Sequence, residues 1–410
     1  MSLVPSLHLL RHANFRRFLI GRVTSALGTN IALLALVFGL LDLGASAATL
    51  GLVLAANTIP QVILTLLGGV IGDRFERRRV MIATDTVQGL IQLSIGALFL
   101  TGHASVTAVF VLRFVYGAAA SFLTPAMNGA IVDVVGAESM QEARSFMNIG
   151  TSTARLIGPA LGGLLVAIFN PGWALVIDSL TFAVSALNLA RLGMPSRKVD
   201  MRNSLRSDFV HGWKEFTSRS WAVKMIITFM LYQATALPAV FVLGPVHSKA
   251  AWHGASSWAT VIAGIALGDF IGGFLMLRWK PRRLLTAANW LWALDLPLIL
   301  CIGLQLETPW PAAVAGIGFG MAMTTGSTLW FQALATHVPS ESLARVTSYD
   351  ELGSLALNPL GYALIGVIAA GIGLGPTFAI VIGIHLLALV WLLTSRDVRA
   401  IERTPPEVAR

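Results

Sequence analysis

The chain has 410 residues, 55% of them hydrophobic and only 12% charged, with a formal net charge of +9. Soluble domains carry about 25% charged residues, so the apolar excess argues for a membrane protein and against the two or three soluble domains that this length would otherwise suggest. The basic residues cluster beside apolar runs, not on a soluble module, which argues against nucleic acid as a partner, and the single cysteine, Cys301, excludes an intrachain disulfide.

A membrane-crossing helix needs about 20 mostly apolar residues. Twelve such segments are expected, near 17–41, 48–72, 79–101, 105–133, 145–169, 172–192, 223–246, 256–277, 284–305, 309–336, 346–371 and 374–395, and they define an all-α membrane protein. The first is too long for a cleavable signal peptide, lacks a small-residue cleavage site and is followed by many spans.

Taken in chain order, span 1 carries Arg22, near enough to its end to snorkel to the interface. Span 2 closes with GGVIGDRFERRRV (68–80), in which Asp73, Arg74, Glu76, Arg77, Arg78 and Arg79 fall within seven positions. Spans 3 and 6 hold Asp85 and Asp178, and span 4 holds Arg113 at the start of RFVYG. An ionisable residue at mid-membrane faces a cavity or a partner, so Arg113 is either functional or half of a structural ion pair. Span 5 reads ARLIGPALGG from Ala154 to Gly163. Pro159 removes a backbone donor and kinks the helix, while Gly158, Gly162 and Gly163 permit close packing. Arg155 lies about ten residues into this span, roughly 15 Å deep. The basic stretch 193–222, with Arg197, Lys198, Arg202, Arg206, Lys214 and Arg219, divides the spans six and six and reads as a solvated tether beside anionic headgroups. Asp269 and Asp295 lie near the middle of spans 8 and 9. A carboxyl in low dielectric can exchange protons near neutrality, which makes either one a candidate proton carrier. Asp350 and Glu351, at the start of span 11, read as capping or loop-pairing groups.

Lys and Arg set the orientation. The connections 42–47, 102–104, 170–171, 306–308 and 372–373 contain neither, and 247–255 contains only Lys249, whereas the alternate connections are basic throughout. By the positive-inside rule the basic side and both termini are cytoplasmic. The halves also repeat. GGFLMLRWKPRR (272–283) aligns with GGVIGDRFERRR (68–79), VVGAESM (134–140) with HVPSESL (337–343), and Pro159 with Pro359. Matches at nearly one offset indicate duplication, and parallel six-span repeats build one large transporter class. The expected organisation is a six-helix bundle over 1–192, a basic cytoplasmic linker over 193–222, and a pseudo-symmetric six-helix bundle with a short tail over 223–410.

On these residues the chain resembles a twelve-span member of the major facilitator superfamily, and most of all its bacterial drug-efflux and enterobactin-exporter-like branch. Gly69, Asp73, Arg74, Arg77 and Arg78 match the superfamily's signature between spans 2 and 3, with Glu76 where glycine is usual. The resemblance implies a conformational latch: the Asp73 carboxylate against the N-terminus of span 11, and arginines reaching Asp133 at the end of span 4. The second-half copy has Leu277 in place of Asp73. Arg113 with Gly117 resembles the span-4 signature implicated in proton coupling, so Arg113, Arg155, Asp269 and Asp295 are the coupling candidates. Gly158, Pro159, Gly162 and Gly163 resemble the exporters' span-5 motif, expected to form a close contact between the two halves. Ala154 stands where one of that motif's upstream glycines is expected. By the same resemblance spans 1, 4, 7 and 10 line an apolar, aromatic substrate cavity, with Ser25, Asn30, Arg113, Tyr232, Gln233, Thr324, Thr325, Trp330 and Gln332 as its polar or aromatic anchors.

The expected activity is secondary transport by alternating access: proton-coupled export of a small amphipathic or hydrophobic compound, of drug or siderophore type, by a monomer in the lipid bilayer of a bacterial inner membrane. An importer or facilitator of a small metabolite, and a non-transporting sensor or scaffold, are the alternatives. No HExxH, GxSxG or GxxxxGK[ST] motif occurs and the histidines have no close metal spacing, so neither an enzyme nor a metal or other cofactor is expected.

Overall fold

The computed structural model describes residues 6–74, 76–136, 139–193, 217–339, 346–347, 350, 353 and 355–403, and side chains throughout them except at 6–7, 65–74, 128, 141 and 167. The chain divides into two compact units, Met1–Asp200 and Met201–Arg410. The described residues are helical but for turns, short connections and one isolated bridge between Arg283 and Glu402. Part of the expected tether, 194–216, lies outside the described residues.

In the first unit the spans are Ala13–Asp42 (span 1), Ala47–Arg74 (span 2), Arg77–Leu100 (span 3), Val106–Val135 (span 4), Met140–Ile168 (span 5) and Pro171–Ala190 (span 6). In the second they are Ser220–Ala251 (span 7), Ala255–Arg278 (span 8), Leu284–Gly303 (span 9), Trp310–His337 (span 10), Asn358–Ile372 (span 11) and Leu374–Thr394 (span 12). Eleven of these contain stretches long and apolar enough to cross a membrane, and Asn358–Ile372 is the shorter twelfth. Large side chains such as Leu387, Leu277, Val314 and Trp310 are left exposed on the helices, as an apolar solvent around the protein allows.

Prolines explain where the spans break. Span 4 is two helices, Val106–Ala120 and Leu123–Val135, because Pro125 offers no N–H to the Ser121 carbonyl. Pro238 does the same to Ala234 in span 7, where the helix stops at Ala234 and passes through a wider π turn at Ala239–Leu243. Gly361 of span 11 seats its backbone against that Ala234 carbonyl, which an added Cβ would meet at 2.5 Å. Pro297 frees the Ala293 carbonyl in span 9, and the turn Ala293–Asp295 tightens to 3-10 geometry.

Glycines decide which spans touch. Gly264, Gly268 and Gly272, four apart on span 8, lie against span 10, whose Gly316 and Gly320 return the contact: a Cβ on any of the five would press on a carbonyl of the other helix. This is small-xxx-small packing. In the first unit spans 2 and 4 meet in the same way, with Gly117 against the Asn57 backbone. The span-5 glycines correct an expectation. Gly158 and Gly162 pack on Asn30 and Ile31 of span 1, inside the first unit, so their close contact is not one between halves. A methyl group at Gly162 would lie 2.5 Å from the Ile31 carbonyl oxygen.

The substitution Gly162→Leu should therefore separate spans 1 and 5. Overpacking of a tight contact costs about 1–3 kcal/mol, so the purified variant should melt at a lower temperature than the parent in the same detergent. An unchanged melting temperature would show that the two helices are free to move apart there.

Candidate functional site

One end of the first unit is fastened by basic side chains. Arg77 donates to the Asp133 carboxylate at 2.8 Å and to the Gly129 carbonyl at 3.3 Å. Gly129 leaves the room that this arginine needs, since a Cβ there would meet the guanidinium. Arg78 donates to the Leu192 carbonyl at 2.7 Å, and Arg17 to the Arg191 carbonyl at 2.9 Å. Spans 1, 3, 4 and 6 are thus tied together at that end. Gly69, Asp73 and Arg74 fall in the last turns of span 2, but their side chains lie outside the described residues, as does the Glu351 that was read with Asp350. In the second unit the corresponding basic turn meets the chain's own tail: Arg282 donates to Glu402 at 3.3 Å, and Lys224 to Asp397 at 2.6 Å with Ser220 as a second donor.

The interior of the first unit is built from polar stripes at helical spacing. Span 1 presents Arg22, Ser25 and Thr29, and span 3 presents Asp85, Gln88 and Gln92, each at i, i+3 and i+7. Asp178 and Thr181 follow on span 6. Arg22 does not reach for the interface. It is buried, donating to Asp85 at 3.3 Å and to Ser25 at 3.2 Å, and Asp85 has no exposure at all. The snorkelling expectation is corrected because the span-3 stripe supplies a carboxylate where water would otherwise be needed. Asp178 is equally buried and accepts from Gln92 and Thr181. Gly28 makes the space, as a Cβ there would strike both Thr181 and Asp178. Arg113 donates to the Asn57 side-chain oxygen at 3.0 Å, and its guanidinium lies 4.2 Å from the Tyr116 ring centre.

These groups surround a cavity of about 670 Å³ within the first unit. Ser25, Asn30, Arg113 and Arg155 all line it. Its wall also carries Asn57, Gln61, Gln88 and Gln92 beside Leu33, Leu36 and Phe182. Span 5 contributes Arg144, Asn148, Thr151 and Arg155, spaced i, i+4, i+7 and i+11 on one face.

In the second unit Asp295 sits at the tightened turn of span 9 and is fully buried. The Tyr232 hydroxyl of span 7 faces it, while making its own contact to Met323 Sδ at 3.4 Å. His385 of span 12 lies 5.8 Å from the Tyr232 ring, its Nε2 3.2 Å from the Trp292 carbonyl. Asp269 accepts from Thr324 at 2.7 Å, joining two residues that were proposed for different roles. Gln233 accepts from Asn358 at 3.4 Å, and Gln332 is half-buried. Thr325 and Trp330 correct the expected cavity lining. Both are in the unit's core: Thr325 bonds the Met321 carbonyl, and Trp330 donates to Asp350 at 2.9 Å and packs edge-on against Trp221 and Phe229. The buried face of span 10 runs through 322, 325, 326, 329 and 330, and Thr324 points about 100° away from Thr325.

Sequence reasoning missed Asn57, Gln88, Gln92 and Tyr116. The first three are neutral and escaped a search for charge, yet the i, i+3, i+7 stripe containing Asp85 was visible. Among the described residues no group of three His, Cys, Asp or Glu is placed to hold a metal ion.

A sequence profile of the Major Facilitator Superfamily matches residues 18–268. The chain is 24% identical to the enterobactin exporter EntS of Shigella flexneri over 352 residues, covering 84% of this chain and 82% of that one. It is 25% identical to BacE of Bacillus subtilis strain 168, named as a candidate bacilysin exporter, over 82% of this chain and 83% of that one. Among solved structures, the nucleoside transporter NupG superposes with a TM-score of 0.71 at 14% identity, covering 92% and 98% of the two chains. A D-xylose–proton symporter gives 0.68 at 15% identity over 97% and 99%.

Two outcomes follow from the ion pairs. Arg22→Gln leaves Asp85 buried beside one neutral donor, which should destabilise the first unit by about 3–5 kcal/mol, and Arg22→Met combined with Asp85→Leu should recover most of that loss; thermal unfolding in detergent measures both. At the tail, burial works against ionisation of Asp397, but the bonds from Lys224 and Ser220 outweigh it and hold the carboxyl below its ordinary range. A depressed folded-state value means that the stabilisation is complete above the ordinary carboxylate value of about 4 and is lost as pH falls through the lower one. The stability gap between wild type and Asp397→Asn should therefore stay constant from neutrality to about pH 4 and close below it.

Proposed function

The chain belongs to the major facilitator superfamily, and we propose that it is a secondary active exporter, moving a small amphipathic compound out of the cell in exchange for protons by alternating access. The observation that carries the reading is the polar cavity inside six membrane spans. Polar and ionisable groups within spans are costly, and they are kept where they line a pathway for a solute. Similarity to EntS and BacE over more than four fifths of each chain favours export.

In this reading the protein works as a monomer in the bacterial inner membrane with both termini in the cytoplasm, and its substrate is of the drug or siderophore type. The pair Arg77–Asp133, with Asp73 and Arg74 nearby in sequence, acts as a latch that holds one conformation and releases in the other. Proton coupling falls to Asp295. It is sealed from solvent with no basic partner among the described residues, so the carboxyl can gain or lose a proton without breaking an ion pair, and the Tyr232 hydroxyl beside it gives a path for the proton. Asp269 is less suited, because Thr324 already holds it. Arg113 and Arg155 act on the substrate side, in the other unit.

The test is energised accumulation in inverted membrane vesicles. Uptake of a transported compound should fall to the passive level when an ionophore collapses the pH gradient at fixed substrate gradient. Asp295→Asn should abolish the gradient-driven component while leaving counterflow exchange of the same compound intact. Equal uptake with and without the gradient would reject proton coupling.

A further inference from the structure

Four arginines line the cavity of the first unit, Arg22, Arg113, Arg144 and Arg155, and no Asp or Glu does. Each acid near them is accounted for. Asp85 answers Arg22, and Asp133 answers Arg77. Asp178 is sealed behind Gln92 and Thr181 and reaches Arg113 only through longer-range attraction. Glu142 is two residues from Arg144, about 200° around the same helix. Among the described residues, then, no carboxylate lies within ion-pairing distance of Arg113, Arg144 or Arg155. Arg113 is 7% exposed, and its Nε is buried without an acceptor.

Arg113 is buried within its span and is costly to keep there without a carboxylate, while the exposed Arg144 and Arg155 line the cavity from span 5. They form a coherent array: Arg144 and Arg155 share a face of span 5 about 16 Å apart along the helix, with Asn148 and Thr151 between them, and Arg113 lines the same cavity from span 4. Leu33, Leu36 and Phe182 give the wall an apolar side. A guanidinium is a planar fork that matches a carboxylate or similar oxyanion, and the field of three such groups repels a cation.

We propose that this cavity binds an organic anion, an amphipathic solute whose carboxylate or comparable oxyanion group is met by Arg155 and Arg113 while its apolar body lies against Leu33, Leu36 and Phe182. Arg144 is the outlying member of the array, able to receive the same anion farther along span 5. The direction in which the anion travels rests on the export reading above; the charge preference of the cavity does not.

The test uses three probes of one shape and different charge: dansylglycine, its neutral amide, and the cationic dansyl-ethylenediamine. Each is titrated by fluorescence into the purified full-length protein at low ionic strength. Dansylglycine should bind about tenfold more tightly than the amide, and the cation most weakly. Arg155 makes no contact that the fold needs among the described residues, so Arg155→Gln should stay folded, weaken the anion several-fold and leave the amide unchanged, while Arg155→Lys should keep most of the preference. Equal or tighter binding of the amide or the cation, no binding of dansylglycine, or a loss in Arg155→Gln that is the same for all three probes would overturn the proposal. Accumulation of dansylglycine in energised inverted vesicles is measured separately. Binding with the expected charge order but without accumulation would count against export and leave the anion site standing; accumulation of the cation or amide in preference to the anion would do the reverse.

Discussion

An ionised side chain carried into an apolar span must be met by an opposite charge, by hydrogen bonds or by water. In the first unit this demand organises nearly everything inside. Arg22 and Asp85 meet each other across spans 1 and 3. Asp178 is met by Gln92 and Thr181. Arg113 is met by Asn57 and the face of Tyr116. Arg144 and Arg155 line the cavity instead. The polar stripes on spans 1, 3 and 5 therefore turn inward together, and the leftover positive charge gives the cavity its chemical character.

The second unit satisfies the same demand differently. Its interior holds few ionised groups and a large aromatic cluster around Trp221, Trp292, Trp330 and Phe229. Asp295 is buried beside the Tyr232 hydroxyl. The two halves share a sequence repeat and the pairing of their second and fourth spans through glycine backbones, yet their interiors have diverged.

Backbone chemistry sets where this architecture can bend. Pro125, Pro238 and Pro297 each withhold the N–H that would complete an i to i−4 bond within a span, and the helices respond with a break, a π turn and a 3-10 turn. Two of these sites adjoin functional candidates: the span-9 turn carries Asp295, and the span-7 break follows Tyr232 and Gln233. Irregular backbone at membrane depth is tolerated where protein or a cavity satisfies it, and the seat of Gly361 on Ala234 is one such case.

The sequence by itself determined the membrane class and, apart from span 11, which begins at Asn358 and not near 346, the spans to within a few residues, because hydropathy is a property of contiguous residues. It also named Arg113, Asp269 and Asp295 as groups to watch, since charge in an apolar run is visible without a partner, while the Arg77–Asp133 contact came only from the family resemblance. Only the tertiary structure decided which face of each helix meets which neighbour. Thr325 and Trp330 went to the core while Thr324 met Asp269; Gly158 and Gly162 closed on span 1; Arg22 found Asp85; and Asn57, Gln88 and Gln92, silent in a search for charge, became cavity wall. Those outcomes depend on helix rotation and on contacts between residues far apart in the chain, as with Arg22 and Asp85 at 63 positions or Gln92 and Asp178 at 86, and no local pattern along the chain encodes them.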